Sequence, residues 1–115
     1  MRAMSFMLTA DQILDETKTV TRRLRWLNLK PGTRLRAVRK AMGLRKGETH
    51  EVLKTIEVVA VERQFLSDIS QADVVKEGFP NLSPRQFVDM FCRAMRCGER
   101  TIVTVIEFKY VEDVP

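Results

Sequence analysis

"EVLKTIEVVAVERQFL", residues 51–66, is the stretch on which the fold turns. It is rich in β-branched residues, and its alternation places Ile56, Val58 and Ala60 on one face and Val59 and Val61 on the other. Both faces are apolar in the middle, which predicts a central strand covered on each side. Further strands are predicted around it: "MSFMLT" at 4–9, "RLRAVRKA" at 34–41, and "TIVTVIEFKYV" at 101–111 with Ile102, Ile106, Phe108 and Tyr110 on one face. "KPGT", residues 30–33, is a turn, because Pro31 presets φ and Gly32 accepts φ > 0. "GLRKGE", residues 43–48, reads as a glycine-bounded loop.

Three helices are predicted between the strands. "TADQ" resembles a capping box with Thr9 as N-cap, opening a short helix from Asp11 to about Glu16 with Ile13 and Leu14 turned inward. "SQAD", residues 70–73, starts a helix of one to two turns that ends with Glu77, leaving Gly78 at the C′ position. "SPRQ" is the strongest start, with Ser83 as cap, Pro84 at N1 and Gln86 at N3. Phe87, Val88, Phe91 and Met95 share a side of this helix, and Gly98 stops it. Strands without regular helical crossovers argue against a doubly wound sheet. The expected architecture is α+β, a small mixed β-barrel with short covering helices, in one domain over residues 1–115.

Composition narrows the function classes. No apolar run approaches the roughly 20 residues of a membrane span, and Met1–Leu8, which carries Arg2, is too short for a signal peptide. Cys92 and Cys97, spaced C-x4-C, have no further Cys and only His50 to accompany them, so no zinc set is expected and no cofactor is implied. They read as reduced thiols of a cytoplasmic protein. The net charge is +5, but residues 1–50 carry 12 Lys/Arg against 4 Asp/Glu, and residues 51–115 carry 8 against 11. Basic charge concentrated in one half of the chain suits a polyanionic partner, phosphates the usual ones and RNA among them, or serves solubility alone; charge by itself leaves both open.

That basic half contains "TKTVTRRLRW", residues 17–26, which is too polar for a core strand and too β-branched for a comfortable helix. It reads as a loop, the kind of segment on which binding groups usually lie. In a regular strand Lys18 and Thr21 would face opposite ways, whereas a loop can turn both to one side. Two readings are open: threonines bonded to nearby backbone with Lys18 in solvent, or a site. Glu77, at the negative end of its helix dipole, is a second oddity with two readings: an exposed carboxylate whose cost is trivial, or a site group compensated by a cation such as Lys18. Arg22, Arg23, Arg25, Arg34, Arg36 and Arg39 are the candidate phosphate binders, since a guanidinium fork matches phosphate oxygens. Trp26 is either a base-stacking face among them or an anchor buried beside the barrel.

"SFMLTADQILDETKTVTRR", "LKPGTRLRAV", "IEVVAVERQFLSDIS", "EGFPNLSPRQFVDMF" and "VTVIEFKYV" together resemble the ASCH (activating signal cointegrator homology) domain family, a branch of the PUA-like superfamily, in family order and over nearly the whole chain. The resemblance implies a PUA-like barrel with a cleft beside it, lined by the K-T-x-T-x-R segment and suited to RNA, a nucleoside or a nucleotide. It also implies an alternative activity. Small bacterial members include metal-independent N(4)-acetylcytidine amidohydrolases, whose catalytic lysine and threonine match Lys18 and Thr21, and whose glutamate matches Glu77. The motif's closing arginine falls on Arg23. Other members are ribonucleases with residues that do not map onto this chain. Two departures stand out: Arg22 occupies a position where an amidohydrolase is expected to carry an apolar residue, and "KAMGLRKGETH", residues 40–50, is a long basic loop.

Overall fold

A computed structural model describes residues 1–40, 46, 47, 49 and 51–112. The remaining positions include most of the 43–48 loop and His50, so the expectations for that loop lie outside the described residues. Among the described residues five strands form one sheet: β1 (Arg2–Ser5), β2 (Val20–Arg23), β3 (Arg34–Val38), β4 (Val52–Phe65) and β5 (Ile102–Val111), in the order β1-β3-β4-β5-β2. β1 runs parallel to β3, and every other pairing is antiparallel. Helices α1 (Ala10–Leu14), α2 (Gln71–Lys76) and α3 (Pro84–Met95) accompany them, with single 3-10 turns at Met7–Thr9 and Leu66–Asp68.

β4 is central, between β3 and β5. Its two faces are not both covered, however, and the reason is a bulge. Val58 pairs with Phe108 and Ala60 with Glu107, so Val59 is an extra residue without a partner. The insertion reverses the alternation beyond it. Val61, not Ala60, joins Ile56 and Val58 toward the core, and Val59 and Ala60 are exposed. A period-2 reading cannot register an inserted residue.

The sheet curls around one core, which Ile13 of α1 also enters, and presents its back to α2 and α3. Met4, Leu35, Ile56, Val58, Ile106 and Phe108 fill the inside, where Phe6 meets Phe108 edge to face at 5.9 Å. Val103 and Val105 point outward from β5 into a second cluster with Val74 of α2 and Phe87, Val88 and Phe91 of α3. β5 is thereby buried on both sides over this stretch. Burying each such aromatic or aliphatic side chain contributes about 1.5–3 kcal/mol. The two edges of the sheet approach each other at one end: the Arg23 guanidinium, at the end of β2, lies 4.7 Å from the ring of Phe6, just past β1.

The helix starts at Ser70 and Ser83 form as their sequences require. Each serine hydroxyl accepts from the N3 backbone, and Asp73 or Gln86 accepts in return from the cap N–H. Thr9, in contrast, makes no cap bond, α1 spans only five residues, and Leu14 is exposed. α3 ends at Met95 rather than running on toward Gly98, because Arg96 takes the left-handed conformation (φ 54°) and closes the helix. The 30–33 turn has Gly32 at φ 89° and a Thr33 N–H bond to the Lys30 carbonyl at 3.2 Å.

Candidate functional site

The basic segment is not a continuous loop. Residues 17–19 are irregular, and Val20–Arg23 pair antiparallel with Glu107–Thr104 as β2. The break lies between Lys18 and Thr21. Lys18 precedes the strand, so strand alternation does not force the two apart, and both line one cavity of about 410 Å3. Within the strand, alternation sends Thr21 and Arg23 to the same side, and Arg23 Nε donates to Thr21 Oγ1 at 3.1 Å.

The irregular turn at 17–19 is tied to the C-terminus of α2. A helix ends with carbonyls that lack intrahelical donors. Here the Thr19 N–H donates to the Lys76 carbonyl at 2.8 Å, and Lys18 Nζ donates to the Glu77 carbonyl at 2.9 Å. Gly78 takes φ 99°, closing the helix as the sequence predicts. On the other side, the Tyr110 hydroxyl donates to the Lys18 carbonyl at 2.5 Å, so β5 holds the same turn. Burial pushes the Tyr110 hydroxyl pKa well above its ordinary value, with Glu16 and Asp15 adding to the effect.

Glu77 is 2% exposed and holds a cation on each oxygen. Lys18 Nζ lies 2.7 Å from Oε1, and Arg22 Nη1 lies 3.0 Å from Oε2. The unfavourable dipole position of this carboxylate is thus offset by two buried positive charges. Burial lowers the Lys18 pKa, Glu77 pulls it back up, and Arg23 and Arg22 lower it further; the net direction is down. Arg23 is pushed down to about 10, chiefly by burial against the opposing pull of Glu77, and remains a cation at neutral pH.

The cleft has a polar floor and apolar walls. Lys18, Thr21, Arg23 and Glu77 form the floor. Phe87, Met90, Phe91 and Met95 of α3 make one wall, and Phe6, Met7 and Leu8 make the other. Lys18 Nζ uses two donor directions on Glu77, which leaves its third N–H, the Thr21 O–H and the outer Arg23 nitrogens for a ligand's acceptor oxygens. A volume of this size suits a small molecule.

The other sequence candidates are placed differently. Arg22 also reaches the lining of the cleft, but its side chain is buried and bonded to Glu77 rather than standing on an exposed, phosphate-facing rim. Arg25 is exposed, Arg34 and Arg36 lie on the exposed face of β3, and Arg39 pairs with Glu51 at 2.7 Å; none of these four lines the cleft. Arg34 is itself paired with Glu57 at 3.2 Å. Trp26 is half-buried against the core cluster, with the Arg2 guanidinium 4.2 Å over its ring. The apolar walls and the Arg22–Glu77 contact were absent from the sequence reading. Reading 20–23 as a strand is the signal for the latter, since it puts Arg22 on the face opposite Thr21, toward α2.

No family model and no curated protein matches the sequence. Solved structures do match the fold. A crystal structure of a protein from Enterococcus faecalis V583, described under the family model DUF984, superposes with a TM-score of 0.67 at 13% identity, covering 96% of this chain and 79% of that one. An ASCH domain from Lactobacillus crispatus JV V101 superposes with a TM-score of 0.60 at 19% identity, covering 95% and 78%. With its curled five-stranded sheet and short covering helices, this chain has the fold of an ASCH-like domain.

Proposed function

We propose that the cleft binds a nucleoside-sized ligand, with the base held between the apolar walls and its acceptor oxygens on Lys18, Thr21 and Arg23. The observation that carries this reading is the cleft itself, a donor-rich floor between walls of aromatic and methionine side chains. Such walls suit a planar base, and methionine adapts to its shape. An RNA strand is the other ligand of this class, and the exposed Arg25 and Arg36 favour it. The cleft favours the nucleoside, because its mouth is bordered by exposed Met7, Leu8 and Met95 rather than by arginines. Thermal shift against cytidine, N(4)-acetylcytidine and short RNAs tests the reading. A ligand that binds only the folded state raises the melting temperature. A rise with a nucleoside supports the proposal, and no rise with any of them removes it.

A second reading, deacylation of an N(4)-acetylcytidine-like nucleoside, is favoured by the convergence of Lys18, Thr21 and Glu77 on one cleft. In it Thr21 Oγ1 attacks the acyl carbon while its proton passes to neutral Lys18. The C–N bond breaks, the amine leaves with a proton returned from Lys18, and water hydrolyses the acyl-threonine ester to the free acid. The lowered Lys18 pKa suits this role. Turnover of N(4)-acetylcytidine by the native chain and its loss in Thr21→Ala is the expected result; equal activity in both removes Thr21 as nucleophile.

A further inference from the structure

Arg22 is the buried charge that neither reading above uses. It lies one residue past Thr21, on the opposite face of β2, and its side chain is 1% exposed. Its guanidinium is held at both outer nitrogens. Nη1 donates to Glu77 Oε2 at 3.0 Å, and Nη2 donates to Gln64 Oε1 and Asp73 Oδ2 at 3.4 Å each. Gln64 belongs to β4 and Asp73 to α2, so two elements stop the guanidinium from swinging away from Glu77. Its Nε is buried without a hydrogen-bond partner among the described residues. Burying a cation with one donor left unsatisfied is costly, which calls for a compensating gain.

The gain concerns Lys18. A lysine that pairs alone with a buried carboxylate is held in its charged form, since losing the proton would strand the carboxylate without a cation. Glu77 is not in that position. Its Oε1 meets Lys18 and its Oε2 meets Arg22, and arginine does not deprotonate at any ordinary pH. We propose that Arg22 is a positioning residue, the fixed counter-ion of Glu77 that leaves Lys18 free to give up and retake a proton at the floor of the cleft. The inference rests on the reading of Lys18 as the proton-handling group of this site. The charged and titratable groups around Lys18 are Glu77 at the end of α2, Arg22 and Arg23 on β2, and Tyr110 on β5, with Asp73 reached only through Arg22. Of these, Arg22 alone combines a permanent charge with direct contact to the carboxylate that holds the lysine. Burial is the main cause of the lowered Lys18 pKa, and the charges of Arg23 and then Arg22 add to it.

The test needs no substrate. In protein labelled with 13C at lysine Cε, the Lys18 resonance is the one missing from the Lys18→Met spectrum, and its titration midpoint is followed by NMR. Arg22→Met is expected to raise that midpoint by at least about one pH unit, a tenfold gain in proton affinity. Arg22→Lys, which restores a cation, is expected to bring the midpoint back toward the native value. Should Arg22→Met not fold, Arg22→Gln makes the same comparison with a neutral donor. An unchanged or lowered midpoint in the neutral variants overturns the proposal, as does a rise just as large in Arg22→Lys, which would assign the effect to packing. If Lys18 titrates as expected but N(4)-acetylcytidine is not turned over, the deacylation reading fails and the counter-ion role stands.

Discussion

Lys18 Nζ and Glu77 Oε1 lie 2.7 Å apart, 59 residues apart in sequence, in a contact that leaves each side chain no more than 4% exposed. Breaking a buried pair by removing one partner leaves the other charge uncompensated, which costs about 3–5 kcal/mol. The two removals are not equivalent here. Lys18→Met leaves Glu77 still paired with Arg22, whereas Glu77→Gln leaves Lys18, Arg22 and Arg23 together with no buried anion among them. Glu77→Gln is therefore expected to lose about 3–5 kcal/mol in urea unfolding and Lys18→Met distinctly less. Adding Lys18→Met to Glu77→Gln is expected to recover part of the loss. Equal losses in the two single variants would contradict the two-cation arrangement.

The lowered Lys18 pKa also gives stability a pH dependence with a definite sign. In the folded chain Lys18 holds its proton less tightly than in the unfolded chain, where the ordinary value is 10.5. The unfolded state then binds more protons between the folded and unfolded pKa values, so unfolding free energy rises with pH across that window. Tyr110 acts the other way above its ordinary value of 10.0, since its raised pKa makes the folded state retain a proton that the unfolded state loses. Tyr110 is common to both chains when the native protein is compared with Lys18→Met. Denaturation midpoints measured toward pH 10 are expected to show a rising component in the native chain that Lys18→Met lacks.

Much of this was legible in the sequence, for reasons that can be traced to particular residues. Glu77 ahead of a C′ glycine puts a carboxylate in the wrong place along a helix dipole, and of the two readings this allows, an exposed group at trivial cost or a partner for a cation from the basic segment, the second is the contact observed. Ser70 and Ser83 marked their helices because capping is a local interaction. What escaped was non-local or register-dependent. The Val59 bulge exchanged Ala60 for Val61 at the core, and only pairing with β5 reveals it. "TVTRR" reads as loop because a strand offers no evident place for its charges, yet Arg22 is accommodated there by carboxylates that α2 brings from 51 and 55 residues away. The clustering of arginines in sequence was no guide to clustering in space, since alternation in β2 and the turn beyond it scatter Arg22, Arg23 and Arg25 to separate surroundings.

Gly78 is a place where backbone and site are joined. Its φ of 99° is in the region L side chains rarely adopt, and a Cβ there would come 2.8 Å from Gln12 Cγ and 3.0 Å from Gln12 Cβ. Gln12 is not free to retreat without cost, because its Nε2 donates to the Gly78 carbonyl at 3.3 Å and its own carbonyl accepts from the Lys18 N–H at 3.2 Å. Gly78→Ala is expected to destabilise by about 1–3 kcal/mol in urea unfolding. It is also expected to weaken ligand binding, since the strain falls on both Glu77 and the turn that carries Lys18. An alanine variant with native stability would show that the 78 backbone can relax without moving either residue.

The cleft and the exposed arginines make opposite demands on a ligand, and substitutions at Ala94 and Arg36 separate them. Ala94 lines the cleft from α3 and is exposed, so a larger side chain there fills the cavity without entering the core. Ala94→Trp is expected to weaken nucleoside binding about tenfold or more while shifting stability by no more than about 0.5 kcal/mol. Arg36 stands on the outer face of β3, between the inward-facing Leu35 and Ala37, and Arg36→Ala is expected to leave nucleoside affinity unchanged. Salt sharpens the contrast. A ligand held by aromatic walls and a few donors loses little affinity between 50 and 200 mM salt, whereas a strand held at several phosphates releases counterions and loses orders of magnitude. Isothermal titration of both variants at the two salt concentrations reads all of this at once. A steep salt dependence, with sensitivity at Arg36 and none at Ala94, would move the binding surface from the cleft to the outer face of β3 and make RNA the ligand.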